Sequence, residues 1–143
     1  MSAGETPDRA ADILAGFRSR CDTIEETYEF LLGYAAQGLP ADHAGESGNQ
    51  AREYLRRCHE ALNGLGETLT ECVNRLGVDA APAYHAFIRV IDRDARDAQA
   101  AVALVLAQPA IGSPVVDNLN ASIHLRALLT DLFLIDETLK RRA

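Results

Sequence analysis

The amino-acid sequence predicts an all-α protein, an antiparallel four-helix bundle with left-handed coiled-coil-like packing. In four separate segments, apolar residues recur at alternating intervals of three and four, the period of a helix that buries one face. Glycine and proline separate these segments, and no stretch has the period-two alternation of a half-buried strand. We therefore expect one domain with helices over about residues 7–37, 48–76, 80–107 and 119–141.

The first helix is predicted to begin at Thr6-Pro7 and to end before Gly38. Threonine favours the N-cap position, and proline favours the first turn because its missing N–H would have no partner there. Gly38 and Pro40 then stop the helix. The apolar stripe of this helix consists of Leu14, Phe17, Cys21, Ile24, Tyr28, Leu31 and Ala35.

The second helix is predicted to start near residue 48, with Ser47 and Gln50 forming a capping box. Its apolar stripe is the most regular in the chain and consists of Ala51, Leu55, Cys58, Leu62, Leu65, Leu69, Cys72 and Leu76. Asn63-Gly64 within this segment is a turn signal. Because the stripe keeps its phase across these two residues, we interpret the segment as one helix with a weak or bent middle.

The third helix tolerates Pro82 in its first turn, and its apolar stripe leaves open whether Phe87 or Ile88 faces the core. A loop after Pro109 carries several apolar residues and is expected to lie against the bundle. The fourth helix follows this loop. Its apolar seam consists of Leu125, Leu128, Leu132, Ile135 and Leu139. More apolar residues flank that seam, so more than one face of the fourth helix needs cover.

Composition excludes several classes of function. Hydrophobic residues make up 48% and charged residues 24% of the chain, which is typical of a soluble protein. The formal net charge of −7 argues against a nucleic-acid partner, which requires a cationic face. No apolar run is long enough for a membrane helix, and the N-terminus lacks the pattern of a signal peptide. We expect a cytoplasmic protein. The predominance of arginine, with Lys140 as the single lysine, suggests a bacterial source.

Motifs for catalysis or a cofactor are missing from the sequence. The chain has no nucleophile elbow, phosphate-binding glycine loop or dinucleotide fingerprint. Cys21, Cys58 and Cys72 fall on the predicted core stripes and are expected to pack as small hydrophobic residues. None of the helical histidines follows a carboxylate by three residues, as the di-iron sites of helical bundles require. We expect a protein that is not an enzyme and has no bound cofactor.

Two sets of charged residues could still have a role. Arg93 and Asp94 flank the seam of the third helix and could pair with Arg126 or Asp131 of the fourth, which would fix the register between the two helices. Carboxylates from several helices also fall in the middle third of the predicted bundle. If these carboxylates converged, they would offer a metal site made of Glu26, Glu29, Glu60 and Asp94.

A surplus of apolar side chains on the third and fourth helices favours an interaction between proteins. These side chains lie off the predicted seams and are Leu104, Leu106, Leu129, Phe133 and Leu134. A homodimer would bury them most simply. The sequence therefore predicts a non-catalytic protein that binds another protein, as an accessory subunit, an assembly or chaperone-like factor, or a small regulator. The alternative is a bundle that binds a ligand or metal through its central carboxylates.

Overall fold

The computed structural model describes residues 7–140 of the chain. These residues form six α-helices and a short 3-10 turn, Ala41–His43, and they contain no strand. No helix among them is long and apolar enough to cross a membrane. The helices are α1 (Pro7–Ala36), α2 (Gly45–Leu62), α3 (Leu65–Leu76), α4 (Ala81–Leu106), α5 (Ser113–Ala121) and α6 (His124–Lys140).

The prediction of an all-α protein is confirmed, and two of the predicted helices match observed ones closely. These are α1 and α4, each within about one residue of its expected bounds. Gly38, expected to stop the first helix, has a φ of +66°, a conformation that glycine adopts without strain. The predicted N-cap Thr6 and the predicted helix end at residue 141 lie outside the described residues.

The second predicted helix is in fact two helices, α2 and α3. The chain leaves the helical conformation at Asn63, and Gly64 follows with a φ of +64°. The turn signal at these residues therefore overrides the continuous apolar stripe. The predicted capping box is also wrong, because α2 begins at Gly45 and places Ser47 inside its first turn, with no side-chain cap on the preceding Ala44.

The fourth predicted helix also begins earlier and is interrupted. Residues expected to form a loop make α5, which carries Pro114 in its first turn and buries Val116 and Leu119. The chain then breaks at Ser122 and Ile123, and α6 continues from His124. Of the apolar residues expected to hold this segment against the core, Val115 and Val116 lie on α5, whereas Ile111 is buried just before this helix begins.

The long helices α1 and α4 each pack against α2, α3, α5 and α6. Hydrogen bonds fix the direction of α1 relative to the last two helices. The Arg18 Nε donates to Asp136 Oδ1 at 2.8 Å, and the Asn120 side chain donates to the Leu31 carbonyl at 3.1 Å. An early residue of α1 therefore meets a late residue of α6, and a late residue of α1 meets α5, so α1 runs antiparallel to both.

Ile123 is the non-glycine residue with a positive φ, +63°, among the described residues. A β-branched side chain is strained in this conformation, and Ile123 gains little in return because half of its surface is exposed. We expect Ile123→Gly to raise the free energy of unfolding by roughly 1 kcal/mol. Urea denaturation would measure this change, and a loss of stability would contradict the strain.

Candidate functional site

An open apolar groove lies between the beginning of α4 and the second half of α6. Its volume is about 740 Å³. The groove is lined by Ala83, Tyr84, Phe87, Leu134, Ile135, Glu137 and Thr138. Glu137 is the charged residue of this lining. Leu134 stands at the edge of the groove with 56% of its surface exposed, which is unusual for a leucine beside a largely apolar surface.

The helical period explains how these side chains reach the groove. In α4, Tyr84, Ile88 and Ile91 are buried and form the core stripe. The structure thus settles the choice left open by the sequence, since Ile88 faces the core and Phe87 lies beside it in the groove. In α6, Ile135 is in the core, so the preceding Leu134 projects outward next to α4.

Two carboxyl groups meet further along the same pair of helices. Asp94 of α4 and Asp131 of α6 are both half-buried, and the carboxyl of Asp131 lies within hydrogen-bonding reach of Asp94. Asp131 Oδ2 is fully buried and has no hydrogen-bond partner among the described residues. Two ionised carboxylates can only accept hydrogen bonds, so a shared proton is needed to join them.

This environment disfavours the charged form of Asp131. Burial, together with the hydrogen bond to Asp94 and the repulsion from its charge, raises the pKa of Asp131 from 3.8 to about 7. The folded chain therefore keeps a proton on Asp131 at pH values where the unfolded chain has lost it. The stability that this proton contributes is present in acid and is lost as the pH rises to about 7.

The helical spacing places the groove and the carboxyl pair on the same side of α4 and of α6. Phe87 precedes Asp94 by two helical turns on α4, and Thr138 follows Asp131 by two turns on α6, so the groove lies about 10 Å along the helices from the pair. Val90, between Phe87 and Asp94, is 41% exposed. We call this surface the α4–α6 face and define it by Ala83, Phe87, Val90, Asp94, Asp131, Leu134 and Thr138.

The apolar residues expected at an interface are placed in different surroundings. Leu104, Phe133 and Leu134 are exposed, at 68%, 52% and 56% of their surfaces. Only Leu134 lies on the α4–α6 face. Leu104 is about 25 Å along α4 from the groove. Phe133 lines a separate, more polar groove between α1 and α6.

Two of the expected interface residues are covered within the chain, Leu129 almost completely and Leu106 in part, so the expectation that Leu129 needs a partner is wrong. Leu129 is 5% exposed and belongs to the core, and Leu106 is half-buried against it. Leu129 follows Leu125 by one helical turn, which places it on the inner side of α6 as a second buried position beside the seam. The neighbouring helices therefore already cover Leu129 and part of Leu106.

The predicted ion pairs between the third and fourth helices are not formed. Asp94 and Asp131 do meet, but they carry the same charge when ionised. Arg93 and Arg126 are exposed, and no ion pair involves either of them within the described part of the chain. The register between α4 and α6 places Asp94 opposite Asp131. Arg93, the residue before Asp94, lies further around α4 and faces solvent.

The predicted metal ligands also stay apart. Glu26, Glu29 and Glu60 are exposed, whereas Asp94 is paired with Asp131. Among residues 7–140, no group of three or more histidine, cysteine, aspartate or glutamate side chains converges on one point. The helices carry these carboxylates on outward faces, so a shared level along the bundle does not bring them together.

The cysteines occupy the core side of α1, α2 and α3. Cys58 and Cys72 are buried and Cys21 is half-buried, and all three are free thiols. Burial raises the pKa of Cys58 and of Cys21 to about 12. These thiols are therefore protonated at neutral pH and are poor nucleophiles.

No protein-family model, no curated protein and no solved structure matches the chain.

Proposed function

We propose that this chain is a helical bundle that functions through self-association, with a second copy docked on the α4–α6 face. In this proposal the six helices make four antiparallel columns with left-handed packing, two of which, α2 with α3 and α5 with α6, are broken. The protein is non-catalytic and works in the cytoplasm, where free thiols such as those of Cys21, Cys58 and Cys72 persist.

The observation that carries this proposal is the exposed Leu134 beside an apolar groove on the same face. In a dimer with two-fold symmetry, each copy presents the same surface, so one face must supply both the projecting side chain and the cavity that receives it. Leu134 and Val90 are the projecting residues here. Phe87 and Ala83 line the groove that would accept Leu134 of the second copy.

The polarity of the face fits this occupant. A second copy offers apolar side chains to an apolar groove. The α1–α6 groove differs, because its lining includes Arg18, Asp22, Asp136 and Lys140. Such a surface is satisfied by water and by its own ion pairs, so burying it against a partner gains little.

Replacement of Leu134 by aspartate tests the proposal. We expect Leu134→Asp to weaken the dimer by roughly 100-fold, because each copy would bury an unpaired carboxylate in the contact. Sedimentation velocity over a range of protein concentrations would measure the dissociation constant. Circular dichroism would check that the variant keeps its helical content, since Leu134 is already exposed and its replacement leaves the core intact.

Leu32→Asp provides a matched control. Leu32 lies on α1 and is 48% exposed, so the change in charge and hydrophobicity is the same at a site away from the α4–α6 face. This variant should dimerise like the unchanged chain. The proposal fails if the unchanged chain is a monomer, or if both variants dimerise equally well. Native mass spectrometry of the same samples would reveal a small molecule in the groove, which would replace the second copy as its occupant.

A further inference from the structure

We propose that protonation of the Asp94–Asp131 carboxyl pair controls self-association through the α4–α6 face, so that acidification favours the dimer. This inference rests on the proposed function and adds its regulation. Two features of the structure carry it, the position of the pair on the face and the absence of a donor for the buried carboxyl oxygen among the described residues. The symmetry of the proposed contact between identical copies then gives the direction of the effect.

The position of the Asp94–Asp131 pair on the α4–α6 face would place it inside the contact between the two copies. Asp131 is one helical turn before Leu134 on α6, and Asp94 is one turn after Val90 on α4. A partner that covers Leu134 therefore also covers the neighbouring carboxyl groups. The part of the half-buried pair that is exposed in the single chain would be buried when the second copy docks.

Symmetry makes ionised carboxylates costly wherever the two-fold axis crosses the face. If the axis lies near the pair, four carboxyl groups come together. If the axis lies near Leu134, the pair of each copy lies against the apolar groove of the other. Like charges in a group and a charge in an apolar environment both favour the neutral form, so both arrangements take up protons on association.

Within residues 7–140, no positively charged group acts on Asp131 to compensate. From α4, the charged group that acts on Asp131 is Asp94, while Arg93 and Asp97 are exposed. From α1, Arg18 is bonded to Asp136 on another side of α6. The charged residue of α5, Asp117, is exposed, and on α6 itself Arg126 is exposed and lies five residues away, on another side of the helix.

The pH range of the control follows from the free chain. In the monomer the pKa of Asp131 is already about 7, so small changes around neutral pH alter its charge. Burial in the contact raises this pKa further, which means that the dimer binds protons more tightly than the monomer. By linkage, the dimer gains stability as the pH falls and loses it as the pH rises above 7.

The test measures the dissociation constant of the full chain by sedimentation velocity at pH 6 and at pH 8. We expect the dissociation constant to be larger at pH 8 than at pH 6 by roughly tenfold or more. Asp131→Asn should remove this difference and give tight association at both values, because the amide is neutral throughout. Asp94→Asn should shift the midpoint to lower pH, because it removes the neighbouring negative charge and supplies a hydrogen-bond donor.

Asp117→Asn is the matched control, since it makes the same change of charge at an exposed position of α5. This variant should keep the pH dependence of the unchanged chain. Equal dissociation constants at pH 6 and pH 8 would overturn the inference, and so would equal loss of the pH dependence in Asp117→Asn and Asp131→Asn. If Leu134→Asp disrupts the dimer but the dissociation constant of the unchanged chain is the same at pH 6 and pH 8, only the inferred regulation is overturned. A chain that is monomeric at both pH values would overturn the proposed function as well.

Discussion

Gly112→Ala should destabilise the protein by about 3 kcal/mol, because the added methyl group has no space. An ideal Cβ at Gly112 would lie 2.5 Å from the Ala41 nitrogen and 2.8 Å from both the Ala41 Cα and the Leu39 carbonyl oxygen. All three are backbone atoms, so no side-chain rotation relieves the overlap. Urea denaturation followed by circular dichroism would measure the loss.

The backbone beside Gly112 is unable to move freely, because hydrogen bonds hold both sides of the contact. The Ser113 N–H donates to the Leu39 carbonyl at 2.7 Å, and the Leu39 N–H donates to the Ser113 hydroxyl oxygen at 2.8 Å. That hydroxyl donates in turn to the Tyr34 carbonyl at 2.6 Å. Relief of the overlap would break this junction between the end of α1, the following loop and the start of α5.

Gly16→Ala separates the steric effect from the general effect of replacing glycine. Apart from the adjoining backbone of α1, no heavy atom of the described residues lies within 4 Å of an ideal Cβ at Gly16, an exposed position within α1. Alanine there should stabilise the helix by roughly 0.5–1 kcal/mol. If Gly112→Ala changed stability by as little as Gly16→Ala, the close contact described here would be wrong.

The sequence predicted helices well where several signals agreed. In α1 and α4, the apolar period, the first-turn proline and the helix end agree, so their bounds could be read directly. At Asn63-Gly64 the turn signal conflicted with the continuous apolar stripe. At Ile123 no signal existed. The apolar phase continues across Gly64 because α3 packs against the same neighbours as α2, and nothing in the sequence marks an isoleucine as the site of a left-handed turn.

The candidate site was predictable only in part, because it depends on the register between helices that are distant in sequence. Leu134 could be found as an apolar residue beside the seam. Leu129 has the same signature in one helix and is nevertheless buried, since only the neighbouring helices decide which flank is covered. Asp94 and Asp131 were both singled out, but the sequence gives no means of knowing that the register aligns them with each other rather than with arginines.

Arg20→Ala should cost roughly 2–3 kcal/mol of stability, because one guanidinium group joins α1 to both sides of the break between α2 and α3. Its Nε donates to the Ala61 carbonyl at 3.1 Å and its Nη1 to the Thr68 hydroxyl at 2.6 Å. Its Nη2 donates to the Asn63 carbonyl. Removal of the side chain leaves the last carbonyls of α2 without these partners, and urea denaturation would measure the effect.

Arg20→Lys distinguishes the shape of this group from its charge. An ammonium ion keeps the positive charge but lacks the planar fork that reaches three separated acceptors, so lysine should restore less than half of the lost stability. Arg56→Ala is the matched control, because Arg56 is exposed on α2 and lies 4.0 Å from Glu53; it should change stability by no more than about 0.5 kcal/mol. If Arg20→Lys kept full stability, positive charge alone would account for the attachment of α1 to the break between α2 and α3. If Arg20→Ala and Arg56→Ala lost the same stability, the three hydrogen bonds of Arg20 would contribute nothing specific.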